Sequence, residues 1–277
     1  MITFKYLSRL LLPMVAMALA STARADYAEV NDTRLYYEIH GSGDTTVVML
    51  HGGYDDSDVW TLETWRLARD YRVIEIDSRG HGRSYDGNGP ITYERMTDDT
   101  LDLLDQLGVE RAHFVGWSDG GVIASQIAAN HPERVNQLIL FGAAFGGDVY
   151  TDLFSMLLDD KKVFNAIMDT TFGFKYRKTS PTPDHWPVFR DKVYEMWQAP
   201  CYFAEQPEDY CLEPLERISA PTLVVAGEQE IIRRSHTEAI AEAIPGAELK
   251  IVPLASHFMP KFRSLTSTRL IVEFLNN

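Results

Sequence analysis

Six short apolar runs, at residues 47–50, 73–76, 113–115, 138–141, 223–226 and 249–252, lack the polar and apolar alternation of a half-exposed strand. A strand that is apolar on both faces has to be covered on both, as happens in a parallel sheet sandwiched between helices. Helical spacing recurs between the runs, at 62–68, 96–107, 122–129, 237–244 and 267–275. Strand and helix therefore alternate, which predicts an α/β fold with a mostly parallel central sheet flanked by helices. Ahead of this pattern, residues 27–30 and 34–40 flank Asn31-Asp32-Thr33, a turn-like insert between two β-prone stretches, and read as an antiparallel hairpin.

The rhythm breaks between 145 and 214. Helical stretches and prolines replace it there, and 14 of the chain's 31 aromatic residues fall within these 70 positions. That density suits a helical lid with an aromatic core of its own. The chain has 277 residues, 45% of them hydrophobic, enough for one large domain. The expected organisation is a leader at 1–25, a core built from 26–144 and 215–277, and the lid at 145–214.

Within the leader, Lys5 and Arg9 precede an apolar stretch at 10–20, and Ala23-Arg24-Ala25 fits a small-x-small cleavage site. This is the pattern of a secretory signal peptide, and the apolar stretch is too short for a bilayer core of about 30 Å. Export, to a periplasm or out of the cell, is the expectation, with no stable membrane insertion once the leader is removed. In an oxidising compartment Cys201 and Cys211, the only cysteines, can pair; the closed loop would contribute roughly 2.7 kcal/mol in the chain-entropy model. Two free, buried thiols are the alternative. A formal charge of −14 opposes binding to a nucleic-acid backbone or an anionic membrane. Two cysteines are too few for a thiolate zinc site, and the eight histidines show no H-E-x-x-H spacing.

Gly116-Trp117-Ser118-Asp119-Gly120 follows the run at 113–115 and opens a helical pattern, giving strand, tight turn and helix in sequence. A serine at the tip of such a turn takes strained dihedrals, and the residues two before and two after it pass too closely for side chains. Ser118 would stand clear of the sheet, facing the N-H groups and positive dipole of the following helix.

Together with His51-Gly52-Gly53 after an early strand and Asp77-Ser78-Arg79-Gly80-His81-Gly82-Arg83-Ser84 after the next, this turn resembles the α/β-hydrolase superfamily over nearly all of the chain beyond the leader. The hexapeptide Gly116 to Gly121 is similar to the elbow of valacyclovir-hydrolase-like enzymes, which cleave amino-acid esters. The resemblance implies a nucleophile, acid and histidine in that chain order, with Ser118 as nucleophile and His257, just after the last strand, as base. His236, His185 and His131 compete, but each lies on or beside an expected helix. Relatives show Gly-x-x-Asp where this chain has Gly227-Glu228-Gln229-Glu230, so Glu230 takes the acid position with one methylene more; Asp148, after the strand at 138–141, is the alternative.

An alkoxide intermediate needs preorganised N-H donors, each worth about 3 kcal/mol. The expected pair is Asp119, from the elbow, and Gly53, which the resemblance implies. Tyr54 is a second candidate donor, or with Trp117 part of the substrate pocket, and His51 reads as structural. For the Asp119 carboxylate two readings stand: a complement to the helix dipole, or, as the resemblance implies, recognition of a substrate ammonium group. Arg79 and Arg83 are expected in ion pairs. The expected activity is cleavage of a small-molecule carboxylic ester through an acyl-enzyme, with no cofactor. Amide cleavage or acyl transfer on the same residues, or a non-catalytic binding protein, are the alternatives.

Overall fold

A computed structural model describes residues 23–146, 149–203 and 211–277. Strands β1 (Arg24–Val30) and β2 (Thr33–His40) form the hairpin, turning at Asn31, which takes a φ of 47°. Strand β1 begins within the stretch expected as leader: Arg24 and Ala25 pair with Ile39 and Glu38. Residues 1–22, the greater part of that leader, lie outside the described residues.

The six apolar runs become β3 (Thr46–Leu50), β4 (Arg72–Ile76), β5 (Ala112–Trp117), β6 (Val135–Phe141), β7 (Thr222–Gln229) and β8 (Glu248–Ser256). One eight-stranded sheet results, in the order β1-β2-β4-β3-β5-β6-β7-β8. Strand β2 pairs antiparallel with β1 and β4, and every other neighbouring pair is parallel. From β3 the chain moves outward to β4 and then crosses back to β5. The order thus reverses between β3 and β5, and a crevice opens at the carboxyl ends of those two strands.

Helices α1 (Thr61–Leu67), α2 (Tyr93–Gln106) and α3 (Asp119–Asn130) follow the first strands. Between β6 and β7 come α4 (Asp152–Asp159), α5 (Lys161–Thr171), α6 (Gly173–Thr179) and α7 (Trp186–Trp197); α8 (Arg234–Ala243), α9 (Met259–Phe262) and α10 (Ser264–Leu275) complete the chain. Strand β3 shows why its residues are apolar throughout. Val47 and Met49 join a core with Leu67 of α1 and Leu270, Ile271 and Phe274 of α10. Val48 and Leu50 join the opposite core with Leu103 of α2 and Ile123 and Ile127 of α3. Each such side chain, fully buried, stabilises the fold by about 1.5–3 kcal/mol. The run at 249–252 departs from this expectation. It lies in β8, at the sheet edge with one strand neighbour, so Leu249 is left exposed.

The helices between β6 and β7 dock on the loop after β3. The ring of Tyr54 packs among Phe164, Phe172, Trp186 and Phe189, and its hydroxyl donates to the carbonyl of Arg190 at 2.7 Å. Lys175 of α6 bonds Asp55 and Asp56 at 2.5 and 2.6 Å. Cys201 and Cys211 are joined in a disulfide, their Cα atoms 5.4 Å apart. No helix among the described residues is long and apolar enough to cross a membrane.

Candidate active site

Ser118 sits between the end of β5 and the first turn of α3, with φ 54° and ψ −119°. A non-glycine residue in this region stores strain of order 1–3 kcal/mol and persists only where its surroundings enforce it. Here the Ser118 amide donates to the Phe141 carbonyl at 2.8 Å, and its own carbonyl accepts from Gly121 and Val122. A methyl group on Gly116 would collide with the Gly120 carbonyl, and one on Gly120 with the carbonyls of Leu50 and His51. The glycines at 116 and 120 are therefore what allow β5 and α3 to close around the serine.

The loop after β3 lies directly alongside: a methyl group on Gly52 would stand 3.1 Å from Ser118 Cβ. His51 fixes that loop. Its Nε2 accepts the Ser78 amide at 3.0 Å, which leaves the proton on Nδ1 to be donated to the Gly52 carbonyl at 2.8 Å. The loop carrying Ser78 is itself anchored by charge. The buried Asp77 receives Arg83 at 2.7 and 3.0 Å, and Arg79 forms a two-pronged pair with Asp99 at 2.7 and 2.8 Å. Burial alone would raise the Asp77 pKa, but the Arg83 guanidinium holds it below the ordinary carboxylate range.

His257 follows β8. Its Nδ1 is 2.5 Å from Glu230 Oε1, and its carbonyl accepts the Trp117 indole N-H at 2.8 Å. Glu230 also accepts the Ile231 amide at 2.9 Å. Burial alone would raise the Glu230 pKa, yet the imidazole and the amides hold it below its ordinary value, so the carboxylate is charged at neutral pH. Gly142, which sequence reasoning missed, makes room for this pair. It takes φ 53°, and a methyl group there would stand 2.9 Å from His257 Nδ1 and 3.2 Å from Glu230 Oε2. Its position directly after the strand at 138–141 is the one signal the sequence offers.

Ser118, His257, Gly53 and Trp117 line a single cavity of about 60 Å³, together with Tyr150, Phe154, Met168, Phe172, Trp197, Ile231 and Phe258. The competing histidines are engaged elsewhere: His236 Nε2 accepts the Phe145 amide, His185 pairs with Asp86, and His131 lies beside Glu133. Asp148 lies outside the described residues. The Tyr54 ring packs into the aromatic core of the inserted helices, directly against Phe172 and Trp197 of the cavity wall. Trp117 lines the cavity and also braces His257 from behind.

The Asp119 side chain matches neither sequence reading in full. It is buried, and it accepts Tyr93 Oη at 2.9 Å and Trp197 Nε1 at 3.0 and 3.1 Å. Burial pushes its pKa up to about 6. Trp197 and Tyr93 could not have been singled out beforehand, since nothing in local spacing links residues 26 and 78 positions away from Asp119.

The model of the "Alpha/beta hydrolase family" matches residues 47–261. The chain belongs to this family. It is 27% identical over 251 residues to human "Serine hydrolase BPHL", a match covering 87% of this chain and 83% of that one. It is 41% identical over 105 residues to the "Pimeloyl-[acyl-carrier protein] methyl ester esterase" of Pectobacterium carotovorum subsp. carotovorum (strain PC1), covering 38% of this chain and 39% of the other. Among solved structures, the enol-lactonase from Burkholderia xenovorans LB400 superposes with a TM-score of 0.70 at 27% identity, covering 91% of this chain and all of its own. With its fold and these relatives, the chain is a serine hydrolase of the α/β type.

Proposed function

We propose that the chain cleaves a carboxylic ester through an acyl-enzyme, using Ser118, His257 and Glu230, and that it acts after export. The single observation that carries this reading is the 2.5 Å contact from Glu230 to His257 Nδ1, with His257 lining the same cavity as Ser118. With Nδ1 donating to a carboxylate, Nε2 is left as the basic nitrogen, the tautomer a serine nucleophile requires. His257 takes the Ser118 proton as Oγ attacks the acyl carbon, then returns it to the departing alkoxide; water repeats the cycle on the acyl-enzyme. Glu230 holds the ring and stabilises the imidazolium. The amides of Gly53 and Asp119 receive the alkoxide of each tetrahedral intermediate, aided by the N-terminal dipole of the twelve-residue α3.

An ester is favoured over an amide because two of the relatives, a methyl ester esterase and an enol-lactonase, bear names that describe breaking an acyl carbon to oxygen bond. Export rests on the basic, apolar and small-residue order of the first 25 residues and agrees with the Cys201–Cys211 disulfide. A panel pairing p-nitrophenyl esters with the matching p-nitroanilides, run beside Ser118→Ala, tests the reading. Ester turnover that exceeds anilide turnover at least a hundredfold and disappears in the variant is expected. Anilide cleavage at a comparable rate would move the chain to the amidases, and activity that survives Ser118→Ala would remove the serine from the reaction.

A further inference from the structure

The space beside Ser118 is narrow. An apolar cavity of about 150 Å³ holds a benzene ring, whereas the space beside Ser118 measures about 60 Å³. What closes it on one side is Trp197, at the end of α7. A methyl group built on Gly53 would lie 2.5 Å from Trp197 Cζ2, so the indole sits directly on the backbone that is to hold the alkoxide.

This side chain is held at its ring and at its backbone. The indole Nε1 donates to both oxygens of Asp119, and the backbone carbonyl of Trp197 accepts the Tyr202 hydroxyl at 3.0 Å. Asp119 is fixed in turn by Tyr93. The neighbouring wall residue Met168 is by contrast an unbranched side chain that can adapt its shape to a guest.

We propose that Trp197 sets the acyl limit of this enzyme at groups of about two to three carbons, and that Asp119 is the positioning residue that holds the indole in place. The proposal rests on Ser118 being the nucleophile. Its test is kcat/KM for p-nitrophenyl acetate, butyrate, hexanoate and octanoate, with fluorophosphonate labelling of Ser118 measured on every variant. In the parent, hexanoate falls at least tenfold below acetate. Trp197→Ala raises the hexanoate to acetate ratio at least tenfold. Trp197→Phe, which keeps a ring and loses the N-H, raises it less and guards against a folding failure in the alanine variant. Asp119→Ala shifts the ratio in the same direction, the double variant goes no further than Trp197→Ala alone, and Asp119→Asn, which keeps an acceptor, restores the parent ratio. A parent that takes hexanoate as readily as acetate overturns the proposal, as do Trp197 variants that lower every ester in proportion. If the parent fails to label at Ser118, the nucleophile reading falls and the proposal with it; labelling with an unmoved ratio overturns the acyl limit alone.

Discussion

The sheet and the inserted helices are held together by different means. The sheet places Ser118, His257 and Glu230 through backbone pairing and glycine contacts, in which a carbonyl such as that of Leu50 or Gly120 forbids any side chain at one position. The insertion is attached through side chains that meet across long stretches of sequence: Trp197 to Asp119, Tyr54 to Arg190, and Lys175 to Asp55 and Asp56. The residues of the proposed reaction thus sit on the sheet and its loops, while Phe154, Met168, Phe172 and Trp197 of the insertion supply much of the cavity wall.

The sharpest separation comes from the acid. Glu230→Ala removes the partner of His257 and should lower kcat about 10³- to 10⁴-fold, while Asp148→Ala should stay within about threefold. Steady-state kinetics on one short ester decides this, and a reversed order would place the acid on the loop after β6 and separate Glu230 from the chemistry.

A smaller effect tests the attachment of the insertion. Burial alone would raise the Asp55 pKa, yet the ammoniums of Lys175 and Lys261 hold it below its ordinary value. Lys175→Ala leaves Asp56 without its lysine and Asp55 with Lys261 alone. A loss of about 3 kcal/mol is expected, read as a fall in the thermal midpoint on the order of 10 °C. A shift below about 2 °C would mean that the aromatic contacts around Tyr54 hold the insertion by themselves.

The smallest effect lies in the sheet layer. Glu63 of α1 is buried against Ser267, its Oε2 has no hydrogen-bond partner among the described residues, and burial pushes its pKa up to about 7. A carboxyl group whose folded pKa is raised favours folding below its unfolded value near 4.5 and loses that contribution as pH rises through about 7. Glu63→Gln should therefore be more stable than the parent at pH 8, by up to about 3 kcal/mol, and gain almost nothing at pH 4. Urea unfolding at the two pH values measures the difference, and an equal gain at both would show that Glu63 does not titrate in this range.

Legibility followed the same division. The six strand runs, the elbow glycines, and the places of Ser118, His257 and Glu230 at strand ends were legible because each depends on residues close in sequence or at a fixed place beside a strand. Strand β8 misled in one respect, since an apolar run does not reveal whether its strand is central or at the edge. The contacts of Tyr54 with the insertion, and of the Asp119 carboxylate with Trp197 and Tyr93, were not legible, because aromatic density indicates a core without showing which ring meets which partner. Gly142 was missed although it follows a correctly placed strand, because the close approach it permits is made by two loops far along the chain.

The central claim is that Ser118 becomes acylated because His257, held by Glu230, takes its proton. The most direct measurement is covalent capture by a fluorophosphonate, followed by intact mass and peptide mapping. A single adduct on the peptide containing Ser118, absent in Ser118→Ala and formed at least a hundredfold more slowly in His257→Ala, is the predicted result. An unmodified parent, or an adduct that forms equally fast without the His257 imidazole, would contradict it.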